Sequence, residues 1–139
     1  MAEKNERFVG CVTEVFGFLE DAGFKTGPHR IECKQLYYTV TYCGKEVAYC
    51  FSFDVRENYC ECYIARVVHG EIITDRRNGG FWSSLYSFLV KQMGYRGKIP
   101  IPKECEELEF KELYGYKKLL IDQQSEILKD DSMLFCKVD

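Results

Sequence analysis

Eight cysteines and two histidines are the residues of this chain with the most chemistry available to them. The cysteines are Cys11, Cys33, Cys43, Cys50, Cys60, Cys62, Cys105 and Cys136. Cys60 and Cys62 fall two apart in a run of strand character, and alternate side chains of a strand share one face. With Cys50 or Cys43 from neighbouring strands they would supply a thiolate set for zinc, assisted by His29 or His69. Zinc sites gather their ligands on turns that converge, and this spacing has no Cys-x-x-Cys. Free cysteine is also a common small core residue. The expectation is buried, reduced thiols, with no metal, no other cofactor and no disulfide framework.

Catalysis has few footholds. His29 follows Pro28 and His69 precedes Gly70, both in loop or turn contexts, and neither has a nucleophile partner by motif. The phosphate loop, the dinucleotide glycine fingerprint, the Gly-x-Ser-x-Gly elbow and the His-Glu-x-x-His zinc helix are all missing. The carboxylates of Glu104-Cys-Glu-Glu-Leu-Glu109 lack the alternating acids and glycine of a calcium loop, and suit a solvated helix start. The balance leans against an enzyme, although catalytic groups can assemble in space without a local motif.

Charge layout is the one anomaly. The chain carries net −3, yet residues 76–98 hold Arg76, Arg77, Lys91, Arg96 and Lys98 and no acid. Arg76, Arg77, Arg96 and Lys98, with the backbone amides of Gly79 and Gly80 ahead of an expected helix, are the candidate partner- or anion-binding residues. Trp82, Tyr86 and Tyr95 lie in the same stretch and would allow stacking on nucleic acid. The rest of the chain is net −8 and would repel a long polyanion, so an acidic protein partner fits this island better. The plain alternative is that the basic residues are a solvated helix face and its flanking loops.

The elements that must position these residues are legible from periodicity. At 139 residues, with 46% apolar and 29% charged residues, the chain is expected to fold as one domain over residues 1–139. Phe8, Val12, Val15, Phe16 and Leu19 recur at helical spacing within Asn5–Asp21, with Gly17 as the place for a bend. A first strand is expected over Arg30–Lys34, with a continuation towards Tyr42 as the alternative. From Leu36 to Val68, runs of β-branched and aromatic residues are split by Gly44-Lys45 and by Arg56-Glu57-Asn58, the pattern of an antiparallel meander. Leu36, Tyr38, Val40 and Tyr42 share one face, as do Val47, Tyr49, Phe51, Phe53 and Val55, and Cys60, Cys62, Ile64 and Val68. The opposite face is mixed and rich in tyrosine; exposed tyrosines there are a second candidate contact surface, and the favoured alternative is that tyrosine pairs across strands simply stabilise the sheet. A short strand is expected after His69-Gly70, helices over Phe81–Met93 and Glu112–Lys129, and a closing strand or docked tail over Met133–Val138. These elements make an α+β fold, an antiparallel β-meander of four to five strands with about three helices packed mainly on one face.

Three segments carry a family resemblance: Phe16-Gly-Phe-Leu-Glu-Asp-Ala-Gly-Phe24, the meander from Val47 to Val68, and Tyr116-Lys-Lys-Leu-Leu-Ile-Asp-Gln-Gln-Ser-Glu-Ile-Leu-Lys-Asp-Asp131. In these the chain resembles small bacterial immunity-type proteins of polymorphic toxin systems and related uncharacterised α+β families. It departs from them at Asp130-Asp131, where Gly-Asp is usual, and in its cysteine load. The resemblance implies a protein that binds and neutralises a partner toxin and catalyses nothing. The expected function is therefore a non-enzymatic protein-binding module, with a protein partner and no nucleic acid. The alternatives are a secretion-chaperone-like homodimer and a small-ligand or anion-binding domain centred on Arg76-Arg77. No apolar run is long enough to span a membrane and no secretory leader pattern is present, so a cytoplasmic location is expected.

Overall fold

Alternation in the three central runs decides the architecture. In the computed structural model, which describes residues 3–26, 30–32, 37–122 and Phe135, these runs form strands β3 (Tyr37–Cys43), β4 (Val47–Asp54) and β5 (Tyr59–Val68). They pair antiparallel without a slip: Tyr37 stands opposite Asp54 and Asp54 opposite Tyr59, while Val40, Phe51 and Cys62 form another row. Short strands extend both edges. β1 (Lys25–Thr26) and β2 (Arg30–Glu32) pair with the two halves of β3, and β6 (Glu71–Ile73) and β7 (Trp82–Ser84) pair with successive parts of β5. The seven strands thus stack as five ranks of an antiparallel sheet in an α+β fold. β2 runs antiparallel to β3, so the first expected strand and the second run are separate strands.

Turn chemistry sets the register. His69 and Gly70 both have positive φ, 52° and 79°, as a two-residue turn matching the right-handed strand twist requires. Between β4 and β5 the Asp54 carboxylate accepts from the amides of Arg56 and Glu57, and Asn58 closes the turn at φ 51°. The Gly44 amide donates to the Val47 carbonyl between β3 and β4.

Val40, Tyr42, Tyr49, Phe51, Phe53, Cys60, Cys62 and Ile64 line the covered face and are all buried. The helices pack there. α1 (Glu3–Val15) presents Phe8, Val12 and Val15, and the Phe16 ring after it stacks on Phe51 with centroids 4.0 Å apart. The expected single helix to Asp21 is two: Phe16-Gly17 is a turn, and α2 (Phe18–Asp21) restarts beyond it to bury Leu19. Near the chain's middle the expected helix from Phe81 begins later. Residues 82–84 are β7, and α3 (Leu85–Met93) starts only where Ser84 accepts from the Ser87 amide as its N-cap. α4 (Lys111–Asp122) follows; the expected continuation to Lys129 lies outside the described residues. Of the expected tail element only Phe135 is described, buried and stacked on Phe81 with centroids 4.8 Å apart. No described helix is long and apolar enough to cross a membrane.

Phe16→Ala should destabilise the fold by about 3–5 kcal/mol, since it empties a fully buried aromatic site stacked on the sheet. Denaturant unfolding measures this, and a cost below about 1 kcal/mol would mean that α1 is peripheral.

Candidate functional site

The face of the sheet away from the helices carries the side chains that alternate outward: Tyr37, Thr39 and Thr41 from β3, Cys50, Ser52 and Asp54 from β4, and Tyr59, Glu61 and Tyr63 from β5. No outward position of these three strands is a lysine or arginine. At one end a small apolar cluster of Ala48, Ala65 and Val67, with Cys43 and Ile72, lies flat on the sheet. At the other end the surface is concave, a cleft of about 430 Å³ between Tyr37, Tyr59 and Tyr63 with Asp54, Glu57 and Glu61 among its walls.

Apart from exposed Glu57, each of these wall side chains has a bracing partner. Tyr63 stacks on Trp82 at 4.8 Å and 19°, and Trp82 itself remains 41% exposed. The Tyr37 hydroxyl accepts from Arg56 Nη2 at 3.4 Å, and Asp54 is fixed by the turn amides it caps. Glu61 is fixed by α4: the Tyr116 hydroxyl, carried on a ring fully buried in the core, donates to Glu61 Oε1 at 2.5 Å. Tyr59 pairs with the same hydroxyl. One turn earlier on α4, Glu112 Oε1 accepts the Cys60 amide at 3.0 Å, on the half of β5 that has β4 on one side and no strand on the other. Burial pushes the Tyr116 phenol far above its ordinary value, and the Glu61 carboxylate it donates to pushes it further, so it stays a donor throughout the physiological range.

The basic residues singled out from the sequence are placed differently. Arg76, Arg77 and Asn78 form a 3-10 turn capped by Asp75, whose carboxylate accepts from the Arg77 amide and pairs with its guanidinium at 3.4 Å. The Arg76 guanidinium lies 5.0 Å over the Phe81 ring. The Gly79 amide donates to the Arg76 carbonyl and the Gly80 amide to the Asp75 carbonyl, so both are already engaged. Gly80 is required there for contact: a Cβ would overlap the Ile73 carbonyl. The helix expected to follow these amides starts five residues later, with β7 between, so no helix N-terminus faces them. Arg96 and Lys98 are exposed in a second loop, after α3. That loop is tied down by the Tyr86 hydroxyl on the Gly97 carbonyl at 2.6 Å and the Tyr95 hydroxyl on the Lys98 carbonyl at 2.9 Å. The three aromatics of the island are thus committed elsewhere: Trp82 turns to the tyrosine face, and Tyr86 and Tyr95 brace the second loop.

The sheet also separates the thiols. Cys60 and Cys62 point into the core, whereas Cys43 and Cys50 belong to the opposite face. They do not converge, and no group of His, Cys, Asp and Glu among the described residues has metal-holding geometry. Burial pushes the Cys60 and Cys62 thiols well above the ordinary thiol value, with Glu112 and Cys50 the next largest causes respectively. Protonated and sealed, they lack the thiolate that nucleophilic or redox work needs. His69 is exposed in its turn, and His29 lies outside the described residues.

Alkylation should report this directly. Iodoacetamide at pH 8 should leave Cys60 and Cys62 unmodified in the native protein and label them once it is unfolded, while among the described cysteines half-buried Cys43 and Cys105 react first. Native labelling of Cys60 or Cys62 at a rate near that of a free thiol would mean that the covered face opens readily.

Compared with known proteins, the chain matches no family model, no curated protein and no solved structure.

Proposed function

We propose that this chain is a non-enzymatic protein-binding module that meets its partner through the uncovered face of the sheet, at the tyrosine cleft and the Trp82 ring beside it. The role of an immunity-type neutraliser, which the sequence resemblance implies, is the specific form of this reading. The observation that supports it most is the pairing of exposed aromatic area with a rigid backing. Trp82 and Tyr59 are 41% and 39% exposed, yet both rings are anchored, one by stacking and one through Tyr116. Aromatic side chains held in place lose little entropy on contact and dominate binding energy where they are desolvated. The buried thiols and the engaged loop amides supply no comparable site for chemistry.

The complementary charge of the partner is positive in this reading, in place of the acidic partner that the basic island suggested. Three carboxylates line the cleft, whereas Arg77 already has Asp75 and Arg76 already covers Phe81.

Photocrosslinking from the two rival surfaces tests the proposal. A benzophenone amino acid replacing Tyr63 should give one discrete protein adduct in the cells the chain comes from, and the same group replacing Arg77 should give none. Adducts from position 77 alone would move the partner to the basic loop. Adducts of the chain with itself from position 63 would favour the secretion-chaperone-like homodimer.

A further inference from the structure

Resting on that reading of the open face, we propose that the cleft between Tyr37, Tyr59 and Tyr63 is the seat for one arginine side chain projecting from the partner protein. Three features of the cleft converge on this occupant. The first is size and shape. A depression of about 430 Å³, open to solvent on one side, suits a long side chain entering end-on better than a flat contact.

The second feature is lining. Three phenol rings give faces on which a planar cation stacks, and guanidinium is the side-chain cation that both stacks and forks. Asp54, Glu57 and Glu61 supply carboxylates around the same opening. Of these Asp54 spends its Oδ1 on the turn amides, and Glu61 receives the Tyr116 hydroxyl on Oε1, which leaves the second oxygen of each for a fork of N–H donors. Glu57 is exposed at the rim, where it acts on the approach of a charged group more than on its final seating.

The third feature is that no described cation forms an ion pair with the carboxylates of this cleft, in contrast to the other acidic depression. In the depression formed by Phe53, Asn58 and Glu106 to Glu112, Lys4 sits 5.0 Å over the Phe53 ring, and Glu109 is paired with Arg7 at 2.9 Å. At the tyrosine cleft the described cation is Arg56, and its contact is to the rim hydroxyl of Tyr37. An anion is excluded by the same carboxylates, and a purely apolar insert would strand them without a partner.

Arginine amide serves as the probe, with citrulline amide as its neutral isostere, in an NMR titration of the intact chain that follows the ring protons of Tyr37, Tyr59, Tyr63 and Trp82. Arginine amide should give saturable shifts confined to these rings. Citrulline amide should bind at least about tenfold more weakly, and Glu61→Gln, which keeps an oxygen for Tyr116, should weaken arginine amide by a similar factor. Glu57→Gln, at the exposed rim, should fold normally and reduce affinity by a smaller factor. Equal shifts from arginine and citrulline amides, or shifts spread over the surface, would overturn the arginine seat. If spermidine instead bound more than about tenfold tighter than arginine amide at the same rings, a diffusible polyamine would replace the side chain. These outcomes are separable from the broader reading: a crosslink from position 63 with no arginine preference keeps the protein interface and removes only this occupant.

Discussion

The rest of the structure depends on how α4 closes the free half of β5. Ten residues long, β5 is flanked on its outer side by β7 and β6 only from Tyr63 onward. The amide and carbonyl of Cys60 would otherwise face a core with no strand to meet them, and an unpaired buried amide costs about 1–3 kcal/mol. Glu112 takes the amide, and the Tyr116 hydroxyl lies 3.5 Å from the carbonyl. Glu112 is the one charged side chain among the described residues that counts as buried, 6% exposed, and its position is explained by this bond. A sheet edge covered by a helix cannot recruit a foreign strand, so strand addition is blocked on this half of β5.

The same helix reaches the open face. Because Tyr116 donates past Cys60 to Glu61, one buried hydroxyl connects core packing to the wall of the cleft. Tyr63 is held by a different route, through Trp82 on β7, a strand that exists because Phe81 turns inward onto Phe88 and Phe135 while Trp82 turns outward. The cleft is therefore a by-product of two edge repairs, one by α4 and one by β7. That origin gives it a rigidity a loop-built depression would lack.

Much of this was legible in the sequence, and the remainder was not for identifiable reasons. The stripe of Phe8, Val12, Val15, Phe16 and Leu19 and the alternation of β3 to β5 predict which residues are buried, because both reflect periodicity within one element. Phe81 and Trp82 misled because they continue the helical spacing of Leu85, Phe88 and Leu89, and only the Ser84 cap reveals that the helix starts after them. The tyrosine face was readable as a face. Its cleft was not, since bringing Tyr37, Asp54 and Tyr59 into one row needs the register of two hairpins. Glu112 and Cys60 lie 52 positions apart, and no local pattern connects them. The basic island is real as a charge count, but β7 and α3 divide it between two loops, and the amides meant to complete it are engaged within the turn.

The central claim is that α4 preforms the cleft by holding Glu61, so the direct measurement is the affinity of Tyr116→Phe for arginine amide, with the thermal midpoint taken alongside. The variant keeps the buried ring and loses only the hydroxyl. The account predicts a cleft that binds several-fold more weakly while the protein remains folded, with a midpoint lowered by about 3–4 °C for the loss of about 1 kcal/mol. Affinity equal to that of the unaltered chain would contradict it, because Glu61 would then be in place without the helix that is said to hold it.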